Sequence, residues 1–117
     1  IAALAGEGGN MLLPRPGFPL YEVLCQYHGL EIRYYDLLPE QRWEVDVAGL
    51  AALVDEKTCA LLVNNPSNPC GAVYSKRHLE EVMREAHALR LPVIADEVYA
   101  GMSFKEPFFA CAAVSAE

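Results

Sequence analysis

The chain has 117 residues, of which 53% are hydrophobic and 21% charged, and its formal net charge is −7. That is enough for one domain with a real core, and too apolar for a disordered segment. No apolar run reaches the length of a membrane span, and an acidic chain whose only adjacent basic pair is Lys76-Arg77 excludes nucleic acid and anionic membrane surfaces as partners.

In chain order, Ile1 to Gly6 is apolar but too short for a signal peptide, and reads as the end of a helix cut from something longer. Gly6-Glu7-Gly8-Gly9-Asn10 is a turn that precedes a strand, so it fails as a dinucleotide fingerprint. Met11-Leu12-Leu13 is a short buried strand, stopped by Pro14 and Pro16. Phe18 to Tyr27 reads as a helix with an apolar face of Leu20, Val23, Leu24 and Tyr27, capped by Gly29. Glu31 to Tyr35 is the second strand, followed by a loop from Asp36 to Glu44 that Trp43 anchors. Asp46 caps a helix with Val47, Leu50, Ala51, Leu53 and Val54 on one face.

Cys59 to Val63 is the third strand. It runs into Asn64-Asn65-Pro66-Ser67-Asn68-Pro69-Cys70-Gly71, which continues neither strand nor helix. Two asparagines flanked by prolines are more than a turn needs. Ser75 then caps a helix to about Arg90, with Leu79, Val82, Met83, Ala86 and Leu89 on its apolar face. Pro92 to Ala95 is the fourth strand, ending in Asp96-Glu97-Val98-Tyr99, and Ala100 to Glu117 shows no periodicity.

Strand and helix alternate, so the fold class is α/β: three layers, a mainly parallel sheet with right-handed crossovers, and helices on both faces. Cys25, Cys59, Cys70 and Cys111 lack C-x-x-C spacing; three of them sit in apolar surroundings and read as reduced buried thiols, which points to an intracellular, cytoplasmic or mitochondrial setting. His28, His78 and His87 show no ligand spacing with them, so no metal is assigned.

Parallel strands share one carboxyl edge. Phe18 and Tyr21 follow the first strand, Asn68 follows the third, and Asp96 and Tyr99 end the fourth. Asp96 comes after four apolar residues, where a dry carboxylate calls for a cation, and no arginine or lysine is near it in sequence. Asp96 also reads as a helix cap and Tyr99 as packing, but a ring cation satisfies both together with Asn68. A protonated pyridine stacked on Phe18 presents its nitrogen to Asp96, and its ring oxygen accepts from Asn68 and Tyr99. That is the chemistry of pyridoxal phosphate.

At Pro16-Gly17-Phe18-Pro19-Leu20-Tyr21, Asn64 to Gly71 and Ala95-Asp96-Glu97-Val98-Tyr99 the chain resembles the large domain of class I, fold-type I aminotransferases. Leu38-Pro39-Glu40, Trp43, Val45-Asp46 and Ser75-Lys76-Arg77-His78-Leu79 are similar to the tyrosine aminotransferase branch. The resemblance implies that Asn68 and Tyr99 bond the cofactor's ring hydroxyl, Asp96 pairs with the ring nitrogen, Phe18 stacks on the ring, and Tyr21 lies near substrate. It implies transfer of an amino group from tyrosine, or a related aromatic amino acid, to 2-oxoglutarate, by a homodimer at full length. It also implies a Schiff-base lysine beyond Glu117, a phosphate-binding turn upstream and a small domain. Residues 1–117 are therefore expected to be part of a large, cofactor-binding domain, inactive alone. Lys57, Lys76 and Lys105 read as solvated surface.

The apolar strand before Asp96-Glu97 also suits P-loop hydrolases, but G-x-x-x-x-G-K-[ST] is missing, and a receiver-like domain lacks its acids after the first strand. The surviving alternative is a non-catalytic domain that acts by pairing with another chain.

Overall fold

A computed structural model describes residues 1–115. Its sheet has five strands in the order β3-β2-β1-β4-β5, where β1 is Asn10–Arg15, β2 Glu31–Leu38, β3 Glu44–Val45, β4 Thr58–Asn64 and β5 Val93–Asp96. The four longer strands are parallel, as expected, while β3 folds back antiparallel on β2, pairing Leu37 with Val45. The helices are α1 (Pro19–Tyr27), α2 (Val47–Leu50), α3 (Lys76–Ala88) and α4 (Cys111–Val114), and short 3-10 turns cover Ala2–Leu4, Pro39–Gln41 and Ala51–Leu53. Among the described residues no helix is long and apolar enough to cross a membrane.

Alternate residues of the central strands feed two cores, because successive side chains of a strand point to opposite faces. Leu12, Leu61 and Val63 pack with Leu50 of α2, Leu79, Val82 and Ala86 of α3, and Cys111 of α4. Met11, Leu13, Ala60 and Leu62 pack with Tyr21 and Cys25 of α1. Tyr35 lies fully within the first core, where its hydroxyl donates to the Leu62 carbonyl at 2.7 Å.

Several expectations change. Pro14 does not stop the first strand, which runs on to Arg15. The Asn10 N–H points to the β4 side, so at Pro14, four residues on, the missing N–H also faces that side, past the end of the β4 ladder at Leu12, and its absence costs little. The helix after it is real, and Gly29 (φ +68°) ends it as expected. There the Leu30 N–H donates to the Cys25 carbonyl and the Gly29 N–H to that of Gln26, the paired bonds of a Schellman cap. Its buried face, however, is Tyr21 and Cys25. Leu20, Val23 and Tyr27 are exposed, Tyr27 by 82%. The loop after Tyr35 holds three more residues of β2 and all of β3, turned by Arg42 and Trp43 in left-handed conformations (φ 59° and 62°). Ile1–Gly6 is a single 3-10 turn rather than an α-helical end. The tail contains α4; residues 116–117 lie outside the described part.

Two caps stand where the sequence placed them. The Asp46 carboxylate accepts from the Gly49 N–H at 3.2 Å, and the Ser75 hydroxyl accepts from the His78 N–H at 3.2 Å.

Candidate functional site

The carboxyl ends of β1, β4 and β5 lie side by side. The chain leaves β1 outward to β2 on one side and β4 outward to β5 on the other, so strand order reverses between β1 and β4. Open α/β sheets bind ligands in the crevice outside such a reversal.

The loop after β1 depends on Gly17, where a Cβ would stand 2.5 Å from the Pro14 carbonyl oxygen. Glycine therefore lets the chain double back and set Phe18 at the N-cap of α1. Phe18 is exposed, and its ring meets that of Tyr21 edge to face at 5.7 Å. Tyr21 is buried, and its hydroxyl donates to Asp96 Oδ2 at 2.6 Å. Burial first, and the bond to Asp96 second, push the phenol of Tyr21 well above its ordinary pKa. It remains a proton donor to the carboxylate.

Asp96 Oδ1 accepts from the Val98 N–H at 3.2 Å. Among the described residues Asp96 has no ion pair. The expected dryness is only partial: β5 is an edge strand, Ala95 is exposed and Asp96 is half-buried. The anionic group is thus held by a phenol and a backbone amide, with no positive charge against it.

The loop after β4 is tied down by its own asparagines. Asn64 Oδ1 accepts from the Asn68 N–H at 2.7 Å, and Asn64 Nδ2 donates to the Asp96 carbonyl at 3.1 Å. Asn65 reaches elsewhere. Its Oδ1 accepts from the Tyr74 N–H at 2.9 Å, and its Nδ2 approaches the Phe109 carbonyl at 3.4 Å. The peptide bonds Asn65–Pro66 and Asn68–Pro69 are cis. The Ser67 N–H donates to the Ala72 carbonyl and the Gly71 N–H to that of Ser67, closing the loop on itself.

Tyr99 sits in the turn after β5, which is closed by bonds from the Ala100 N–H to Glu97 and from the Met102 N–H to Tyr99. It lines a cavity of about 540 Å³ together with Pro66, Gly71, Met102 and Phe104. Phe18, Asn68 and Asp96 do not line that cavity. The structure therefore joins Phe18 to Tyr21 and Tyr21 to Asp96 by direct contact, and ties the Asn68 main chain to that of Asp96 through the Asn64 side chain. Tyr99 faces a neighbouring concavity.

Glu97 was not singled out by the sequence. Its carboxylate accepts from the Cys111 N–H at 2.6 Å and so holds the start of α4. Burial, then Glu97, push the Cys111 thiol up to about 12, so it is no nucleophile at neutral pH. No spacing in the sequence announces a partnership across fourteen residues. The Asn64–Asn65 pair did carry a signal, as two amides directly after an apolar strand.

A family profile described as aminotransferase class I and II matches residues 1–117. The chain belongs to the class I and II aminotransferase family. Every element from β1 to α4 falls within the match. The chain is 51% identical over 106 residues to the tyrosine aminotransferase of Mus musculus, covering 91% of this chain and 23% of that protein. It is 54% identical over 97 residues to an S-alkyl-thiohydroximate lyase of Arabidopsis thaliana, covering 83% of this chain and 21% of that one. The crystal structure of a tyrosine aminotransferase from Leishmania infantum superposes with a TM-score of 0.91 at 39% identity, over 95% of this chain and 30% of that chain. This aminotransferase-family chain thus spans about a quarter of the length of the curated relatives it matches. The solved relative carries the same fold, which makes the three-layer α/β reading of the sequence correct.

Proposed function

We propose that this chain is the ring-holding part of a pyridoxal-phosphate-dependent aminotransferase acting on tyrosine or a related aromatic amino acid, with 2-oxoglutarate as acceptor. The observation that carries the reading is the Asp96 carboxylate, fixed by Tyr21 and Val98 with no cation beside it. A protonated pyridine nitrogen supplies the missing charge, and the pair is a charge-assisted hydrogen bond. The Phe18 ring, exposed beside Tyr21, offers a stacking face. The Asn68 side-chain amide has no partner among the described residues and is free to donate to a ring oxygen. Tyr99 supplies the second donor. When bound, pyridoxal phosphate provides the aldehyde that takes up the amino group and the ring that withdraws electrons as a Cα–H bond breaks. Asp96 keeps the ring nitrogen protonated through that step, and Tyr21 keeps Asp96 aimed.

Tyrosine as substrate, pairing of two copies and a cytoplasmic or mitochondrial setting are carried here by likeness to the tyrosine aminotransferases alone. A second reading comes from the Arabidopsis relative, in which a similar chain belongs to a lyase. Glutamate formed from tyrosine and 2-oxoglutarate supports transfer, and release of a thiol from a sulfur-containing substrate supports the lyase. The pairing-only alternative expects no cofactor at all.

The test is Asp96→Asn in the full-length protein. Once a bound ring covers the half-buried Asp96, removing its charge leaves the ring nitrogen without a partner, at a cost of about 100-fold or more in cofactor affinity and transamination. Wild-type turnover in the variant overturns the proposal.

A further inference from the structure

Asn64 is 3% exposed and spends both ends of its amide. Its oxygen takes the Asn68 N–H and its nitrogen reaches the carbonyl of Asp96, so one side chain spans the two loops of the candidate site. The same Asp96 carbonyl also accepts from the Asn65 N–H at 3.1 Å. We infer that Asn64 is a positioning residue that sets the distance and angle between Asn68 and Asp96, and through them the seat of the pyridine ring. This rests on the cofactor reading above.

The chemistry demands asparagine. A side chain at this position needs an acceptor on one side and a donor on the other, at a fixed short reach. Aspartate offers two acceptors and turns a negative oxygen against the Asp96 carbonyl. Leucine offers neither and leaves a buried N–H without a partner. Glutamine is one methylene too long for a closed site. Flipping the amide of Asn64 breaks both bonds at once, so its orientation is fixed by its neighbours. The roles of the two adjacent asparagines divide accordingly: Asn64 serves the cofactor edge, while Asn65 ties the loop to Tyr74 and Phe109.

The experiment measures pyridoxal phosphate affinity, by titrating its absorbance, for the full-length wild type, Asn64→Asp, Asn68→Ala and the double variant. Loss of the donor bond raises Kd about tenfold in Asn64→Asp. If Asn64 acts through Asn68, the two changes are not additive, and Asn64→Asp adds about threefold or less on top of Asn68→Ala. Fully multiplicative effects, or an unchanged Kd in Asn64→Asp, overturn the inference while leaving the cofactor reading intact. A wild type that binds no pyridoxal phosphate overturns both. Should Asn64→Asp fail to fold, Asn64→Ser takes its place, since a hydroxyl cannot reach both partners. Amide hydrogen exchange on the cofactor-free wild type gives an independent reading. The Asn68 N–H is expected to exchange at least about tenfold more slowly than an open loop amide, and a fast Asn68 N–H overturns the clamp.

Discussion

At the scale of single residues, the bond between Tyr21 and Asp96 decides how the site is built. The phenol is buried and raised in pKa by that burial and by Asp96, so it donates across the neutral range. Tyr21→Phe keeps the ring and its edge contact with Phe18 but removes the one side-chain donor that Asp96 has among the described residues. A hydrogen bond to a charged group contributes about 1.5–3 kcal/mol. With Asp96 half in solvent, the lower end applies, and Tyr21→Phe is expected to lower unfolding stability by about 1.5 kcal/mol in urea titration. A stability equal to wild type would mean that water replaces the phenol without loss. Tyr21 also shows what sequence can and cannot say. Its position on the edge was readable from the Pro16–Tyr21 stretch. Its attachment to a carboxylate seventy-five residues away was not, because pairing across a sheet leaves no local pattern.

At the scale of elements, apolar periodicity located the helices more reliably than it located their faces. In α3 the expected stripe is the real one, and Leu79, Val82 and Ala86 are buried. In α1 the stripe at Leu20, Val23 and Tyr27 faces out, while Tyr21 and Cys25 face the sheet. The difference is physical. α3 packs against the strands with α2 and α4 on one face, whereas α1 lies on the other, where Ile1 and Ala5 also pack, and its polar side chains are confined to Glu22 and Gln26. That narrow polar edge leaves the rest of the circumference apolar, so period counting does not fix which part of it meets the sheet. The same absence of contrast hid β3, where only two residues pair. Opposite outcomes are expected for two substitutions on α1. Val23→Lys, at a position 56% exposed, leaves stability within about 0.5 kcal/mol, whereas Cys25→Asp buries a charge and costs more than about 3 kcal/mol. Thermal melts of both variants check it, and a strongly destabilised Val23→Lys would restore the face read from the sequence.

For the whole molecule, His78 links the helical layer to the sheet edge, and this makes stability depend on pH. Nε2 of this buried histidine accepts from the Val45 N–H at 2.9 Å, so the ring is neutral with its hydrogen on Nδ1. Glu44 from β3 and Glu81 from α3 face Nδ1 at 3.7 and 3.8 Å, outside hydrogen-bond length, and the Tyr74 ring packs edge to face against the imidazole. Burial outweighs the two carboxylates and holds the pKa of His78 below its ordinary value. The unfolded chain therefore takes up a proton near pH 6.5 that the folded chain refuses. The stabilisation is complete above that pH and is lost as pH falls below it. The acidic groups with lowered pKa act in another window: Asp55, held down to about 2 by Arg33, keeps its contribution until far lower pH. Between pH 7.5 and 5 the expected slope is downward with acid, at most about 1.4 kcal/mol per pH unit. His78→Gln offers an acceptor for the Val45 N–H but does not titrate. It is expected to flatten that slope, whatever it does to stability at pH 7.5. Urea denaturation of both proteins at five pH values decides it, and an equal slope in the variant would assign the acid sensitivity to another group.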